Sequence, residues 1–101
     1  MTPRFLIWTE RSAEDLEEID AYIAADDPIA AQRWVRTLIA AANCSIELPF
    51  SGRIVPETGR DDVREIIRKG YRIVYWIFDD RVEVLTVIEG HRRLPADLLE
   101  R

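Results

Sequence analysis

The C-terminal half of the chain contains three runs of β-branched and aromatic residues, at Val63–Ile67, Tyr71–Phe78 and Val82–Ile88. They are separated only by the segments Arg68-Lys69-Gly70 and Asp79-Asp80-Arg81. Apolar runs of strand length that are joined by such short segments are typical of consecutive β-hairpins. The pattern therefore predicts a three-stranded antiparallel meander.

The turn lengths determine which side chains share a face of this meander. If Lys69-Gly70 and Asp79-Asp80 are two-residue loops, the alternation of side chains along each strand assigns every residue to one side. One face is predicted to be the core, with Ile66, Tyr71, Ile73, Tyr75, Ile77, Val82, Val84, Thr86 and Ile88. The second face is predicted to carry Val63, Glu65, Ile67, Arg72, Val74, Trp76, Phe78, Glu83, Leu85 and Val87. Because it mixes large apolar groups with charges, we expect the second face to be partly open and to be covered by a partner.

The N-terminal half is predicted to form a strand and two helices. Arg4–Trp8 has the composition of a short buried strand. Ser12 is predicted to cap a helix that runs to about Ala25. Its apolar positions recur at helical spacing and are Leu16, Ile19, Tyr22 and Ile23. Asp27 and Pro28 predict the start of a second helix that extends to about Leu48, and the short connection favours an antiparallel hairpin.

The order of these elements predicts an α+β fold, β-α-α-β-β-β. The N-terminal strand would join a small antiparallel sheet, and the antiparallel two-helix hairpin would pack on one face of it. We expect residues 1–101 to form a single domain in which residues 94–101 are a C-terminal tail. The tail is long enough to cover part of the second face.

Composition and charge disfavour several classes of function. Hydrophobic residues make up 48% and charged residues 33% of the chain, and the net charge is −5. Residues 1–50 account for the whole net negative charge, whereas residues 51–101 contain ten basic and ten acidic residues. Broad affinity for nucleic acid is therefore not expected. No signal peptide or membrane span is evident, which favours a cytoplasmic protein. With one histidine and one cysteine, Cys44, which we expect to be buried on a helix, neither a metal site nor a cofactor is expected.

One cluster of residues carries candidate chemistry. It consists of Arg64, Arg68, Arg72, His91, Arg92 and Arg93, with Tyr71 and Tyr75 nearby in the sequence. A metal-independent ribonuclease can use His or Tyr for proton transfer and Arg to stabilise the phosphorane. The alternative is that these arginines pair with Glu65, Glu83 or Glu89. Arg72 in particular needs a partner, because it projects among apolar residues of the second face.

The chain resembles the RelE/ParE superfamily of type II toxin–antitoxin toxins, also labelled plasmid-stabilisation proteins, from about Trp8 to Arg93. The resemblance lies in the order and spacing of short motifs. They are Ala13–Ile23, Asp27-Pro28-x-Ala30-Ala31, Leu48-Pro49-x-x-Gly52-Arg53, Val63-Arg64-Glu65, Gly70-Tyr71-Arg72-Ile73-Val74-Tyr75 and His91-Arg92-Arg93. The fold that the resemblance implies, a helical hairpin on a small antiparallel sheet, agrees with the fold predicted from the pattern.

The resemblance implies one of two activities. RelE-like toxins cleave mRNA in the ribosomal A site, and in that case Arg72, His91 and Arg92 would be the catalytic residues. However, Val63 and Glu65 occupy the positions of the catalytic lysines of RelE, and its C-terminal tyrosine falls near Leu98. ParE-like toxins inhibit DNA gyrase without being nucleases. The motifs favour the gyrase inhibitor, and so does the carboxylate of Glu65, which would face Arg72, repel a phosphate and neutralise the arginine. No catalytic residue is therefore assigned, and the chain is not expected to be an enzyme.

A third possibility is a non-toxic or degenerate interaction module. For either toxin, the resemblance implies an adjacently encoded, ParD-like antitoxin and a hetero-oligomer with it; the target is gyrase or the translating ribosome. We expect the antitoxin segment to cover the second face or the groove between the helices and the sheet. The residues expected to contact the antitoxin or the target are Arg64, Arg72, Val74, Trp76, Phe78, Leu85, Val87, His91, Arg92 and Arg93.

Overall fold

The computed structural model describes residues 4–100, so residues 1–3 and the last residue of the predicted tail, Arg101, lie outside the described part. The strands are β1 (Phe5–Trp8), β2 (Arg53–Ile54), β3 (Val63–Arg68), β4 (Tyr71–Ile77) and β5 (Arg81–Glu89). The helices are α1 (Glu10–Ala24), α2 (Pro28–Glu47) and a 3₁₀ turn at Pro49–Ser51. The predicted fold class is confirmed. The sheet has the order β1-β5-β4-β3-β2 and is mixed, because β1 runs parallel to β5.

The two helices begin at capping residues. Thr9 caps α1, since its side chain accepts a hydrogen bond from the Ser12 backbone N–H. The prediction of Ser12 as the cap is wrong: Ser12 lies in the first turn, fully buried, and its hydroxyl donates to the Thr9 carbonyl at 2.9 Å. Asp27 caps α2 as predicted, accepting from the N–H groups of Ile29 and Ala30, and Pro28 begins the helix.

Both predicted two-residue turns are present in the meander. Arg68 pairs with Tyr71 across the first turn, and the N–H of Phe78 donates to the carbonyl of Arg81 across the second. Lys69 and Gly70 have φ angles of 55° and 81°, the left-handed pair that a tight hairpin turn with the right twist requires. The register of β3 against β4 is therefore the one expected from the sequence.

A β-bulge changes the faces of β5. Ile77 pairs with Val82 and Tyr75 with Val84, but Val74 then pairs with Thr86, so Leu85 is an extra residue. Because an inserted residue reverses the alternation beyond it, Val87 lies in the core beneath the helices, 2% exposed. Its predicted place on the second face is wrong. The same shift pairs Thr86 with Val74 and Ile88 with Arg72, while the Thr86 hydroxyl still donates to Asp15 of α1.

Two apolar clusters stabilise the fold, one on each side of the sheet. The first joins both helices to the sheet and contains Ile19, Leu38, Ala41, Ala42, Ile66, Ile73, Tyr75, Ile77, Val82, Val84 and Val87. The second lies on the opposite side, which we call the back face, and contains Val55, Val63, Val74 and Leu85. Two residues expected in the helical core are exposed, Tyr22 of α1 and Cys44 of α2. Cys44 is exposed because the buried side of α2 passes through Ala41 and Ser45. In residues 4–100, neither helix is long and apolar enough to cross a membrane.

Candidate functional site

Arg72 lies at the centre of a buried network of charged groups on the back face. Its Nε donates to Glu65 at 2.7 Å, and its two terminal nitrogens each donate to Glu57 at 2.7 Å. One of those nitrogens also donates to the backbone carbonyl of Arg92 at 3.0 Å. These contacts engage four of the five N–H donors of a guanidinium group. The expectation that Glu65 faces and neutralises Arg72 is confirmed.

Both carboxylates of the network are held by more than one group. Glu65 is 1% exposed and also accepts from the Nε of Arg53 on β2. The bidentate hydrogen bonds from Arg72 lower the pKa of Glu57 to about 2, and the same bonds raise the pKa of Arg72. The arginine side chain is 5% exposed and its charge is compensated on two sides. A phosphate would have to displace both carboxylates to reach it.

The other predicted catalytic residues are not assembled with Arg72. His91 is exposed and lies 3.3 Å from the carboxylate of its neighbour Glu89. Arg92 contacts Arg72 only through its backbone carbonyl, and the Arg92 and Arg93 side chains are exposed. Arg64 is held away from them by the carboxylate of Asp61 and by the carbonyls of Phe50 and Gly52. In residues 4–100, no group of three His, Cys, Asp or Glu side chains is arranged to hold a metal ion.

The chain's own tail seals the middle of the back face. Leu94, Leu98 and Leu99 pack against the buried cluster that includes Val74 and Leu85. The prediction that the tail covers part of this face is confirmed. It follows that Val74, 0% exposed, and Leu85, 5% exposed, do not form an open surface, contrary to the expectation for this face. The tail supplies the apolar contacts for which the sequence suggested a partner.

An apolar band remains at the surface on the other end of the back face. We define it as Phe5, Ile7, Trp76 and Phe78. Phe5 and Ile7 of β1 are 53% and 36% exposed and lie opposite Arg81 and Glu83 of β5. Trp76 and Phe78 are partly buried, with ring centroids 5.0 Å apart. The band's residues lie on β1 and at the end of β4, with Arg81 and Glu83 of β5 between them. Apolar side chains grouped in this way are more typical of an interface than a single exposed residue is.

Two arginines extend the aromatic part of this band. The Arg60 guanidinium lies over the Trp76 ring, 5.3 Å from its centroid, and that of Arg81 lies over Phe78 at 4.1 Å. Each arginine also pairs with carboxylates, Arg60 with Asp62 and Arg81 with Glu83 and Asp80. Arg60 lowers the pKa of Asp62, which also accepts from the indole N–H of Trp76 at 3.0 Å. These ion pairs balance the charge beside the band, and the apolar rings are its main feature.

Sequence reasoning missed two groups that define this site. Glu57 lies in an irregular loop, where no periodicity assigns it to a face. Phe5 and Ile7 were predicted to be in a buried strand, and the apolar run around them carries no sign that β1 is an edge strand. Trp76 and Phe78 were found because the turn lengths placed them on the second face.

Comparison with known proteins gives consistent matches. A family model described as the ParE toxin of the type II toxin–antitoxin system, parDE, matches residues 6–94. A Sinorhizobium fredii protein described as a candidate toxin, Y4kP, is 40% identical over 97% of this chain and 100% of its own length. Toxin RelE2 of Caulobacter vibrioides is 34% identical over 86% of this chain and 96% of its own. A solved chain from a chromosomal ParDE toxin–antitoxin system of P. aeruginosa has the same fold, with a TM-score of 0.67 at 20% identity over 85% of this chain and 95% of that one.

Proposed function

Because this chain belongs to the ParE toxin family, within the RelE/ParE superfamily of type II toxin–antitoxin toxins, we propose that it is a cytoplasmic inhibitor of DNA gyrase that an adjacently encoded antitoxin neutralises. The observation that carries the choice of target is the enclosure of Arg72. In a RelE-like ribonuclease, Arg72 would have to contact the scissile phosphate to stabilise its charge in the transition state. Here that guanidinium is buried between Glu57 and Glu65 and donates to both.

Two further features support a toxin that is not a nuclease. The positions of the two catalytic lysines of RelE hold Val63, which is buried, and Glu65, whose negative charge opposes a phosphate. The only histidine of the chain, His91, is exposed beside the carboxylate of Glu89, although the next residue, Arg92, contributes its backbone carbonyl to the network. No arrangement of a base and an acid around one phosphate-sized space accompanies Arg72 in residues 4–100.

Controlled expression in bacteria tests the choice of target. We expect growth arrest with a DNA-damage response and intact transcripts, and we expect co-expression of the adjacent reading frame to restore growth. Unimpaired growth on strong expression of the chain alone would favour a degenerate module instead. Growth arrest accompanied by codon-phased cleavage of translated mRNA would refute gyrase inhibition.

Ribosome-dependent mRNA cleavage is the second candidate function. It is favoured by the exposed run His91, Arg92 and Arg93 directly after β5, and by the name RelE2 of one relative. The substitution Arg72→Lys separates the two functions. If Arg72 is catalytic, the variant loses toxicity while it keeps antitoxin binding. If Arg72 is structural, as we propose, any loss of toxicity follows a loss of thermal stability and of antitoxin binding.

The apolar band is the proposed contact for the antitoxin. Because Val74 and Leu85 lie beneath the tail, an antitoxin segment that binds without displacing the tail would contact Phe5, Ile7, Trp76 and Phe78. Phe5→Asp is expected to weaken antitoxin binding about tenfold or more, since it places a charge in an apolar contact. The matched control is Ile29→Asp, which changes an apolar residue that is 65% exposed at the start of α2. Equal binding by both variants would refute this placement.

The groove between the helices and β1 is the alternative place for the antitoxin. Its apolar walls come from Trp8, Ala13, Leu16, Val35 and Ile39, and its rim carries Glu17 and Asp20. An amphipathic helix of the antitoxin could bind in such a groove through apolar residues spaced three and four positions apart. If Val35→Asp abolishes antitoxin binding and Phe5→Asp does not, the groove and not the apolar band is the contact.

A further inference from the structure

Helix α2 and the turn between β3 and β4 present unbalanced positive charge in a chain of net charge −5. Arg33 and Arg36 are exposed on α2, which has no acidic residue before its last position, Glu47. The adjacent turn adds exposed Arg68 and Lys69. Across the described residues, none of these four side chains lies within ion-pair distance of a carboxylate. By contrast, six other arginines there do form ion pairs: Arg11, Arg53, Arg60, Arg64, Arg72 and Arg81.

Three of these cations, Arg33, Arg36 and Lys69, line a depression around an aromatic side chain. Trp34 of α2 packs edge-to-face against Tyr71, with ring centroids 5.8 Å apart, and Lys69 Nζ lies over the Trp34 ring at 5.7 Å. An open depression of about 510 Å³ borders the ring. We call it the Trp34 patch, and its lining residues are Ala30, Arg33, Trp34, Arg36, Thr37 and Lys69. Tyr71 fixes the ring orientation, so the patch is formed before any partner binds.

The backbone at Lys69 gives an independent indication. Lys69 is the one non-glycine residue in residues 4–100 with a positive φ, 55°. The first central position of such a turn favours Asn, Asp or Gly, because a longer side chain is disfavoured in the left-handed region. The chain therefore carries a long cationic side chain where the backbone conformation favours a short one. A binding role for the Lys69 side chain, which lies over the Trp34 ring, would explain why a long residue occupies this backbone position.

We propose that the Trp34 patch binds an acidic segment of a protein partner. Carboxylates of the segment would pair with Arg33, Arg36 and Lys69, and an apolar side chain of the segment would pack on the Trp34 ring. Trp and Arg are enriched at the centres of protein interfaces, where an apolar anchor lies beside charged contacts. The inference does not depend on gyrase being the target, because it stands on the charges and the ring alone.

The overall charge favours a peptide over a nucleic acid as the occupant. A duplex extends beyond the patch and would bring its phosphates near the acidic helix α1, which carries Glu10, Glu14, Asp15, Glu17, Glu18 and Asp20 against a single Arg11. A short acidic segment can pair with Arg33, Arg36 and Lys69 in the patch, which no residue of α1 lines. The ring of Trp34 also suits an apolar side chain, which a phosphate backbone does not supply.

Fluorescence anisotropy on the intact chain tests the proposal. The probe is a fluorescein-labelled peptide of alternating Glu and Leu residues, compared at low salt with a Lys-Leu peptide and a short DNA duplex. We expect the Glu-Leu peptide to bind most tightly. The double variant Arg33→Gln/Arg36→Gln should weaken that binding about tenfold, because two surface charge pairs each contribute a few-fold. The matched control, Arg4→Gln/Arg11→Gln, removes the same charge elsewhere and should bind like the unchanged chain.

A second variant separates recognition from folding. Lys69→Asn suits the left-handed backbone and should keep or raise the urea midpoint, yet we expect it to weaken Glu-Leu binding about threefold. The proposal is overturned if the unchanged chain does not bind the Glu-Leu peptide. It is also overturned if Arg33→Gln/Arg36→Gln binds it equally well. Tighter binding of the duplex through the same arginines would assign the patch to nucleic acid instead.

Discussion

The ion pair between Glu57 and Arg72 gives the sharpest prediction about stability. Replacing Glu57 with Gln keeps the size and one acceptor of the side chain but removes its charge. Arg72 then remains buried with Glu65 as its only carboxylate partner. Since a buried guanidinium depends on compensating charge, we expect the folded state to lose free energy relative to the unfolded chain.

The magnitude follows from the pKa of Glu57. Lowering that pKa from 4.5 to about 2 on folding corresponds to about 3 kcal/mol of stability at neutral pH. The Glu57 side chain is 34% exposed, so solvent screening reduces the expected loss in Glu57→Gln to about 1–2 kcal/mol. Because the folded pKa lies below the unfolded one, this contribution is complete above about pH 4.5. It disappears as the pH falls from there to about 2.

Urea denaturation at several pH values measures this directly. At pH 7 we expect the urea midpoint of Glu57→Gln to be lower than that of the unchanged chain by about 1 M. The difference between the two proteins should shrink as the pH is lowered below 4.5. Asp97→Asn is the control, because its pair with Arg11 is exposed and should contribute little. Equal midpoints at pH 7, or a difference that does not change with pH, would refute the reasoning.

Three further substitutions test other contacts of the fold. Gly52→Ala places a methyl group against the Tyr75 hydroxyl, which must then leave its buried acceptor, and should lower the free energy of unfolding by about 2 kcal/mol. A thermal midpoint equal to that of the unchanged chain would contradict it. Asp15→Ala removes the carboxylate that accepts from the Thr86 hydroxyl and from the Val87 backbone N–H. It should lower the free energy of unfolding, measured by urea titration, by about 1.5–3 kcal/mol. A decrease of less than about 0.5 kcal/mol in the free energy of unfolding, the size typical of surface substitutions, would contradict this role of Asp15. Leu98→Ser should cost about 1–2 kcal/mol and increase binding of the dye ANS, because it loosens the tail over the back-face cluster. Unchanged dye binding would show that the tail does not seal this face.

Local signals in the sequence were sufficient to predict the elements and most of their pairing. Asp27 and Pro28 mark the start of α2 through capping chemistry that acts within a few residues. Lys69-Gly70 fixes the register of β3 and β4, and with it the contact between Glu65 and Arg72. The start of α2 and the register of β3 and β4 could be predicted because each depends only on nearby residues in the chain or on the geometry of one turn.

The features that could not be predicted depend on contacts between distant segments. The bulge at Leu85 reverses the faces of β5, and the strand's alternation of apolar residues gives no sign of it. Its location places Val87 against the helices, and the N–H of Val87 is bonded by Asp15 of α1. Glu57 likewise reaches the back face from an irregular segment, for which no periodicity exists.

The same reasoning explains why the candidate site was only partly predicted. The sequence indicated an apolar, lightly charged back face, and Trp76 and Phe78 do reach its surface. It also indicated that the tail could cover part of this face, but not that Val74 and Leu85 would be the part covered by Leu98 and Leu99. The interface predicted from the sequence therefore becomes smaller and shifts toward β1, where Phe5 and Ile7 are exposed.

A supercoiling assay with purified DNA gyrase and relaxed plasmid tests the central claim most directly. The claim is that the enclosure of Arg72 leaves a toxin that acts by binding gyrase and not by cutting RNA. We predict that the purified chain inhibits supercoiling in proportion to its concentration, and that stoichiometric antitoxin restores the reaction. The claim would be contradicted if gyrase kept its full supercoiling activity in the presence of excess purified chain, while expression of the same chain in bacteria arrests growth.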